Sequence, residues 1–394
     1  MRPVLMIVHA YYEEDPRVRR EAESIAASGR PVLVLGLRRP ELPAVEVLQG
    51  VHVRRLDEQR HQGAGLGTYL REYLSFLIRS GWAAVKLHRR HRFGLVQVHS
   101  LPDFLVFAAL PLRLVGVPVL LDLHEAMPEF FVTRFPRAAN PLSHRLLLLQ
   151  ERLSIAFATH VLTVNEAMGD RLRGLGVSDD KLSIVINSPS LERFDEGAHP
   201  PRAFREDGAL RLIYTGALTP TYELDVTVRA VARVAAERPD LDVRIDLYGR
   251  GDSEDELRAL AAELGIAERV TFHGRIPIED VPAAVAAADI GLAPTRLDRF
   301  TAITLSTKVY EYAAMGKPVV ASRLPLVERT FPEGTVAAYE PGDADGMAAA
   351  ILALADDPLG REAAIARMRD VVRDAAWERE AERYVAIVDK LIRE

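Results

Sequence analysis

Short runs of uninterrupted apolar residues alternate along the chain with longer stretches whose apolar positions recur every three or four residues. In the first half the runs are VLMIVHA (4–10), VLVLGL (32–37), VHVRRL (51–56), LVQVHS (95–100), VPVLLDLH (117–124), HVLTVN (160–165) and LSIVIN (182–187). Their length and Val/Ile/Leu content predict buried strands. Amphipathic stretches at 16–29, 68–91, 141–158 and 166–175 separate most of them and predict helices. The first is framed by Asp15 as N-cap, Pro16 at the first helical position and Gly29 past the end. Strands and helices in this alternation predict a parallel sheet covered on both faces.

A second alternating set follows. Its strands are LRLIYTGAL, VRIDLYGRG, VTFHGRI, DIGLAP and PVVAS, with helices near 222–237, 253–264, 279–287 and 305–315. Between the two sets, 187–210 lacks periodicity and is rich in Pro, Gly and charge, as an interdomain connection is. The tail from about 360 is helical and punctuated by Trp377. The pattern therefore predicts an α/β chain of two doubly wound, Rossmann-like domains: 1–190, a linker at 191–210, 211–372, and a terminal helix at 373–394. A length of 394 residues agrees, being too much for one ordinary core.

Two apolar tracts need a separate reading. MRPVLMIVHAYYEEDP has too short an apolar run for a signal peptide and reads as a buried strand. FLVFAALPLRLVGVPVLLDL (104–123) is broken by Pro111, Arg113, Gly116 and Pro118, so a buried helix followed by a strand is expected rather than a lipid span.

Composition changes the picture in three ways. The absence of cysteine excludes disulfides and thiolate metal sites and fits a reducing cytoplasm. An overall formal charge of −6 argues against a general nucleic-acid binder. That charge is unevenly shared: residues 1–190 hold 24 Lys+Arg against 19 Asp+Glu, the remainder 26 against 37, and nine of eleven histidines lie in the first half. Domains of opposite sign suggest different partners.

Ligands of open parallel sheets bind at the carboxyl ends of the strands. Those ends carry His9, His99 with Ser100, His124 with Glu125, and Asn165 in the first half. In the second they carry Gly216, Gly249 with Gly251, Gly274 with Arg275, and Pro294 with Thr295. The glycines would let backbone approach a ligand. LYGRGDSEDEL (247–257) fails the dinucleotide spacing because Glu254 takes the third glycine's place, and no Walker sequence occurs. Two Asp-x-Asp triplets, Asp240–Asp242 and Asp343–Asp345, could hold a divalent ion; helix capping is the preferred account of both, and no metal site is expected.

TLSTKVYEYAAMGKPVV (304–320) places Lys308 and Glu311 three residues apart at the start of a helix that Gly316 ends. A cation in the first turn opposes the helix macrodipole, so an anion is expected there. A surface Lys–Glu pair is the plain alternative.

STKVYEYAAMGKPVVAS, preceded by VTFHGRIPIEDVPAAVAAADIGLAP, resembles the donor-binding half of the GT-B glycosyltransferases, in particular the retaining family-4 group. DPRVRREAESIAASGRPVLVLG, LLDLHEAMPE and IVINSPSLERF resemble that group's acceptor half, so the resemblance spans nearly the whole chain. It implies two domains facing a central cleft and transfer of a sugar from a nucleoside diphosphate, with UDP the expected nucleotide, no metal and no separate cofactor. Glu311 would hold the ribose hydroxyls; Lys308 and the backbone of Thr304, Leu305, Ser306 and Thr307 would meet the diphosphate. Gly216 would pass close to that diphosphate, and Ile276 would border the base. His124 would face the donor sugar and, with Lys308, carry catalysis. His9, Arg17, His99 and Glu125 are the acceptor-side candidates, a solvated helix face being the alternative for Arg17 and Arg20 and a helix cap that for Glu125.

Two departures from the family pattern bear on substrate. Ile303 stands where a glutamate usually reads donor-sugar hydroxyls, and ALTPTYELD after Gly216 lacks the usual arginine and lysine. A sugar-nucleotide epimerase and a non-catalytic sugar-nucleotide-binding subunit are the competing readings; the former wants additional carboxylates. The acceptor class stays open among sugars, lipid-linked molecules and small molecules in cell-surface polysaccharide, glycolipid or glycoconjugate synthesis. TYLREYLSFLIRSGWAAVKLHRRHRF (68–93) reads either as an ordinary buried-face helix or as a peripheral membrane contact on the inner face of the membrane.

Overall fold

The computed structural model describes residues 1–59 and 65–393. The chain forms two compact units, Met1–Asn187 together with Trp377–Glu394, and Ser188–Ala376.

The first unit is built on eight strands: β1 (Val4–Ile7), β2 (Val32–Leu37), β3 (Val45–Leu48), β4 (Val51–Leu56), β5 (Leu95–His99), β6 (Val119–Leu123), β7 (His160–Thr163) and β8 (Leu182–Ile184). Their order is β3-β4-β2-β1-β5-β6-β7-β8, and every pair is parallel except β3 with β4. The order reverses between β1 and β5, where the carboxyl ends diverge and leave room for ligand-facing loops. Edge strand β3 was not predicted, because its four residues alternate exposed and half-buried and present no apolar run.

Asp15 caps the helix Pro16–Ala27 through the Val18 amide at 3.1 Å. That helix and the terminal helix Trp377–Arg393 cover one face of the sheet, packing Val18, Ile25, Tyr384 and Val388 on Val4, Met6 and Leu95. The other face takes the helix Leu66–His91 and a 3-10 segment, Asp103–Ala109, through Phe76, Ala84, Leu105 and Val106. Only one α-turn, Leu110–Arg113, follows that segment, so the buried helix expected over 104–116 is largely 3-10.

The second unit holds β9 (Ala209–Thr215), β10 (Asp242–Tyr248), β11 (Val270–Gly274), β12 (Ile290–Ala293), β13 (Val319–Ser322) and β14 (Ala337–Tyr339). All are parallel, in the order β11-β10-β9-β12-β13-β14, with the reversal between β9 and β12. β14, only three residues long, left no signal in the sequence.

Two expectations are corrected. The 191–210 stretch, expected as an interdomain linker, belongs to the second unit: Phe194 is buried among Tyr310, Met315 and Met368, and the Arg205 amide donates to Asp289 at 3.0 Å. Its polar composition hid these anchors. Asp240 caps no helix; its carboxylate takes two 2.9 Å bonds from the neighbouring Arg238, while Asp343 does cap, accepting from the Gly346 amide.

Candidate active site

At the β9–β12 reversal of the second unit, the helix Thr307–Ala314 begins after a 3-10 turn, Thr301–Ile303. Tyr312 fixes this helix to the sheet. Its buried hydroxyl accepts a 2.9 Å bond from the Thr215 amide, and its ring fills the space left by Gly291, where a Cβ would lie 2.3 Å from it. Thr304, Leu305, Ser306 and Thr307 approach the helix half-buried, and the Thr307 and Lys308 amides belong to the first turn, whose N–H groups have no intrahelical acceptor.

Lys308 is buried, which removes the surface-pair reading. Its ammonium lies 4.2 Å from the Tyr222 ring centre and 5.1 Å from that of Tyr214. Burial pulls its pKa down to about 8, against the charge of Glu311 one turn on. Ring faces replace water poorly for a cation, so this ammonium gains from any anion brought to it. Gly216 shapes the spot: a Cβ there would stand 2.5 Å from Lys308 Cε, at a φ of 149° that suits glycine. Glycine at this position thus accommodates the lysine itself.

The other glycines of this edge hold loop against loop. A Cβ on Gly249 would meet the Gly216 carbonyl at 1.7 Å, and one on Gly251 the Leu218 carbonyl at 2.0 Å. The chain packs there on itself, which explains these residues without a ligand. Ile276 stands half-buried after β11, two strands away from β9.

In the first unit, the ends of β5 and β6 bring His99, Asp122 and His124 together. Asp122 accepts from Arg17 Nε and Nη2 at 2.8 Å each, from His99 Nδ1 at 3.0 Å, and faces His124 Nδ1 at 3.4 Å. Burial alone would neutralise the carboxylate, but the Arg17 guanidinium holds it well below the ordinary range. Burial also opposes a charged imidazole at His124, and the hydrogen bond and charge of Asp122 overcome it, raising His124 to about 9. The His124 ring keeps 17% of its surface exposed, whereas His99 is sealed. At neutral pH the site therefore presents an imidazolium on a buried, charge-compensated base.

The acceptor-side expectations change accordingly. Arg17 is neither solvated nor available to an acceptor: it is buried between Asp122 and Glu21 and reaches the Val185 carbonyl at 3.2 Å. Arg20 is likewise buried, bonded to Asn187 at 2.5 Å and lying over Trp377. His99 serves Asp122. His9 is buried edge-on to Tyr73 and Phe76. Glu125 remains half-buried at the edge beside His124. His99, Asp122 and His124 offer ligand atoms within 4.8 Å of one another, but Asp122 already satisfies a guanidinium with both oxygens, which suits a held proton better than a divalent cation. Asp122, Tyr214 and Tyr222 were missed in the sequence; a charged residue inside the apolar run LLDLH was the one available signal.

Residues 15–188 match the model of the glycosyl transferase 4-like domain, and residues 209–357 that of glycosyl transferases group 1. Among curated proteins, the D-inositol 3-phosphate glycosyltransferase of Pseudarthrobacter chlorophenolicus is 27% identical, over 70% of this chain and 66% of its own length. The alpha-D-kanosaminyltransferase of Streptomyces kanamyceticus is 24% identical over 88% of this chain and 91% of its own. Among solved structures, sucrose-phosphate synthase from Thermosynechococcus elongatus superposes with a TM-score of 0.78 at 19% identity, covering 99% of each chain. Anabaena HepE in complex with UDP and glucose gives 0.71 at 14%, covering 98% of this chain and 100% of its own. Two parallel-sheet units, each matched by its own family in the right order, place this chain among the GT-B glycosyltransferases, with a group 1 C-terminal half and a 4-like N-terminal half.

Proposed function

We propose that the protein transfers a sugar from a nucleoside-diphosphate sugar to a hydroxyl acceptor with retention of configuration and without a metal. One observation carries this reading: a buried ammonium, Lys308, laid across Gly216 beside the first-turn amides of its own helix. Such a corner selects a compact, strongly charged anion, and a diphosphate is one. Glu311, one turn further and half-buried, is assigned the ribose hydroxyls, which a carboxylate accepts in pairs.

In the transfer, the bond between the sugar's anomeric carbon and the diphosphate oxygen breaks. The acceptor oxygen bonds to that carbon on the same face, and the acceptor's proton passes to the departing diphosphate. Lys308 and the helix amides stabilise the negative charge that develops on the leaving group. His124 supplies an imidazolium for a phosphate oxygen or a sugar hydroxyl. UDP is the expected nucleotide, on the analogy of HepE, which is described in complex with UDP and with UDP-glucose.

The test is a thermal-shift screen of nucleoside diphosphates and their sugars. One of them should stabilise the protein, and Glu311→Ala should remove most of that shift; an unchanged shift in the variant rejects the ribose assignment. Release of nucleoside diphosphate only when an acceptor is supplied would distinguish transfer from epimerisation or mere binding. The anomeric configuration of the product, read by NMR, decides retention.

A further inference from the structure

The helix Leu66–His91 carries apolar residues on both its buried and its exposed side. Its buried side holds Glu72 and Ser80 along with Phe76, Ala84 and Leu87, while Leu66, Leu70, Leu74, Ile78 and Trp82 are exposed at four-residue intervals. Trp82 is 76% exposed and Ile78 60%. Residues four apart are neighbours on a helix, so these five side chains form one continuous apolar ribbon. An ordinary amphipathic helix turns such a ribbon to the sheet.

A second helix repeats the arrangement. Pro141–Phe157 leaves Leu142, Leu146, Leu149 and Leu153 exposed. Both helices pack against the 3-10 segment Asp103–Ala109 on the same side of the sheet. Contiguous exposed apolar surface on this scale marks an interaction site.

Charge identifies the occupant. Each helix has one acidic residue, and both are buried: Glu72, and Glu151 bonded to Arg171 at 2.7 and 3.0 Å. Every exposed charge on the two helices is basic. Arg71, Lys86, Arg89 and Arg90 accompany the first ribbon, together with Arg79, which also pairs with Glu58 at 3.3 Å, and Arg145 and Arg152 accompany the second. Apolar side chains flanked by long cations, with no exposed carboxylate on either helix, match the boundary of an anionic lipid leaflet, where the former enter the acyl region and the latter meet the headgroups. A second copy of the chain would set these cations against one another.

We propose that these two helices form a docking surface by which the protein lies on an anionic lipid bilayer. Among the described residues no helix is long and apolar enough to cross a membrane, so the contact is peripheral. The helix itself starts near the carboxyl edge of the sheet: the ring centre of its Tyr73 stands 4.8 Å from that of His9, and Tyr69 5.6 Å from Phe135. A lipid-anchored acceptor is then delivered to the edge that carries His124. This consequence rests on the glycosyl-transfer reading; the docking itself does not.

The experiment floats the purified protein with phosphatidylcholine vesicles, with and without phosphatidylglycerol, in the absence of donor and acceptor. Wild type should float with the anionic vesicles. The exposed pairs Ile78→Glu/Trp82→Glu and Arg89→Glu/Arg90→Glu should each lower partitioning by more than about tenfold, with unchanged melting temperature. Trp82 fluorescence should shift to the blue on vesicle addition and be quenched by brominated lipid, with Trp377, which is buried, contributing little to the change. Failure of wild type to float, or flotation that survives the Ile78/Trp82 substitutions, overturns the proposal. So does self-association abolished by those substitutions without any binding to vesicles, which would make the surface an interface between copies.

Discussion

Arg17 grips both carboxylate oxygens of Asp122 at 2.8 Å, across 105 residues of chain and with both side chains buried. The bidentate pair joins the first helix to the end of β6, one residue before the loop that carries His124. Glu21, Gln97 and Tyr384 extend it: Gln97 donates to Glu21 at 2.5 Å and the Tyr384 hydroxyl to Gln97 at 2.5 Å. A polar chain thus runs from the terminal helix to the imidazole.

Asp122→Asn takes from the buried guanidinium the bidentate one of its two carboxylate partners and leaves it on Glu21 alone, and should lower unfolding free energy by about 3–5 kcal/mol. Arg17→Met should destabilise as well, since Asp122 and Glu21 would then face each other. The double variant should lose less than the two single losses combined, because each partner is harmful mainly when left alone. Urea denaturation of the four proteins measures this; strict additivity would dissolve the coupling.

His124 titrates at about 9, above its ordinary 6.5, so it binds a proton more tightly folded than unfolded. Its contribution to stability is complete below about 6.5 and is lost as pH rises through about 9. If the imidazolium acts on the leaving group, kcat should fall over the same upper limb. His124→Gln should lower kcat by about 10²–10⁴-fold and remove that limb. A limb that persists in the variant would assign it elsewhere.

Lys308 behaves in the opposite sense. Its folded pKa of about 8 lies below 10.5, so the buried charge opposes folding at low pH, and the opposition fades as pH rises from about 8 to 10.5. Lys308→Met should therefore be as stable as wild type or more so, by on the order of 1 kcal/mol, while losing the stabilisation by UDP. UDP binding to wild type near pH 8 should take up protons, which calorimetry in buffers of different ionisation enthalpy detects. Equal apparent enthalpies in all buffers would remove the ammonium from the diphosphate.

Gly216→Ala sets a methyl group against Lys308 Cε and Nζ, 2.5 and 2.9 Å from the new Cβ, at a backbone angle that side chains rarely adopt. Strain and displacement together should lower stability by about 1–3 kcal/mol, and UDP affinity should fall with it. A variant that keeps wild-type affinity would show that Lys308 can leave its position freely.

Periodicity made most elements legible. Helix 16–27 was readable from Asp15 and Pro16, and the apolar runs located twelve of the strands, because local composition must satisfy backbone hydrogen bonding and burial at once. β3 and β14 escaped: VEVL alternates exposed and half-buried positions, and AAY holds no run of large apolar residues. Of the site, the Lys308–Glu311 spacing and the His124 strand end were visible, since each departs from what its own element needs. Arg17 was not. A cation on a helix looks alike whether it faces water or a carboxylate a hundred residues away.

The order and kind of the elements, the two-domain plan and the position of a helix start that carries a lysine in its first turn are properties of neighbouring residues, and the chain alone determined them. Which polar groups pair, which glycine makes room for which side chain, and which face of 66–91 meets the sheet depend on contacts between distant segments. Those the tertiary structure decided, because desolvation and ion pairing act through space, where sequence distance has no meaning.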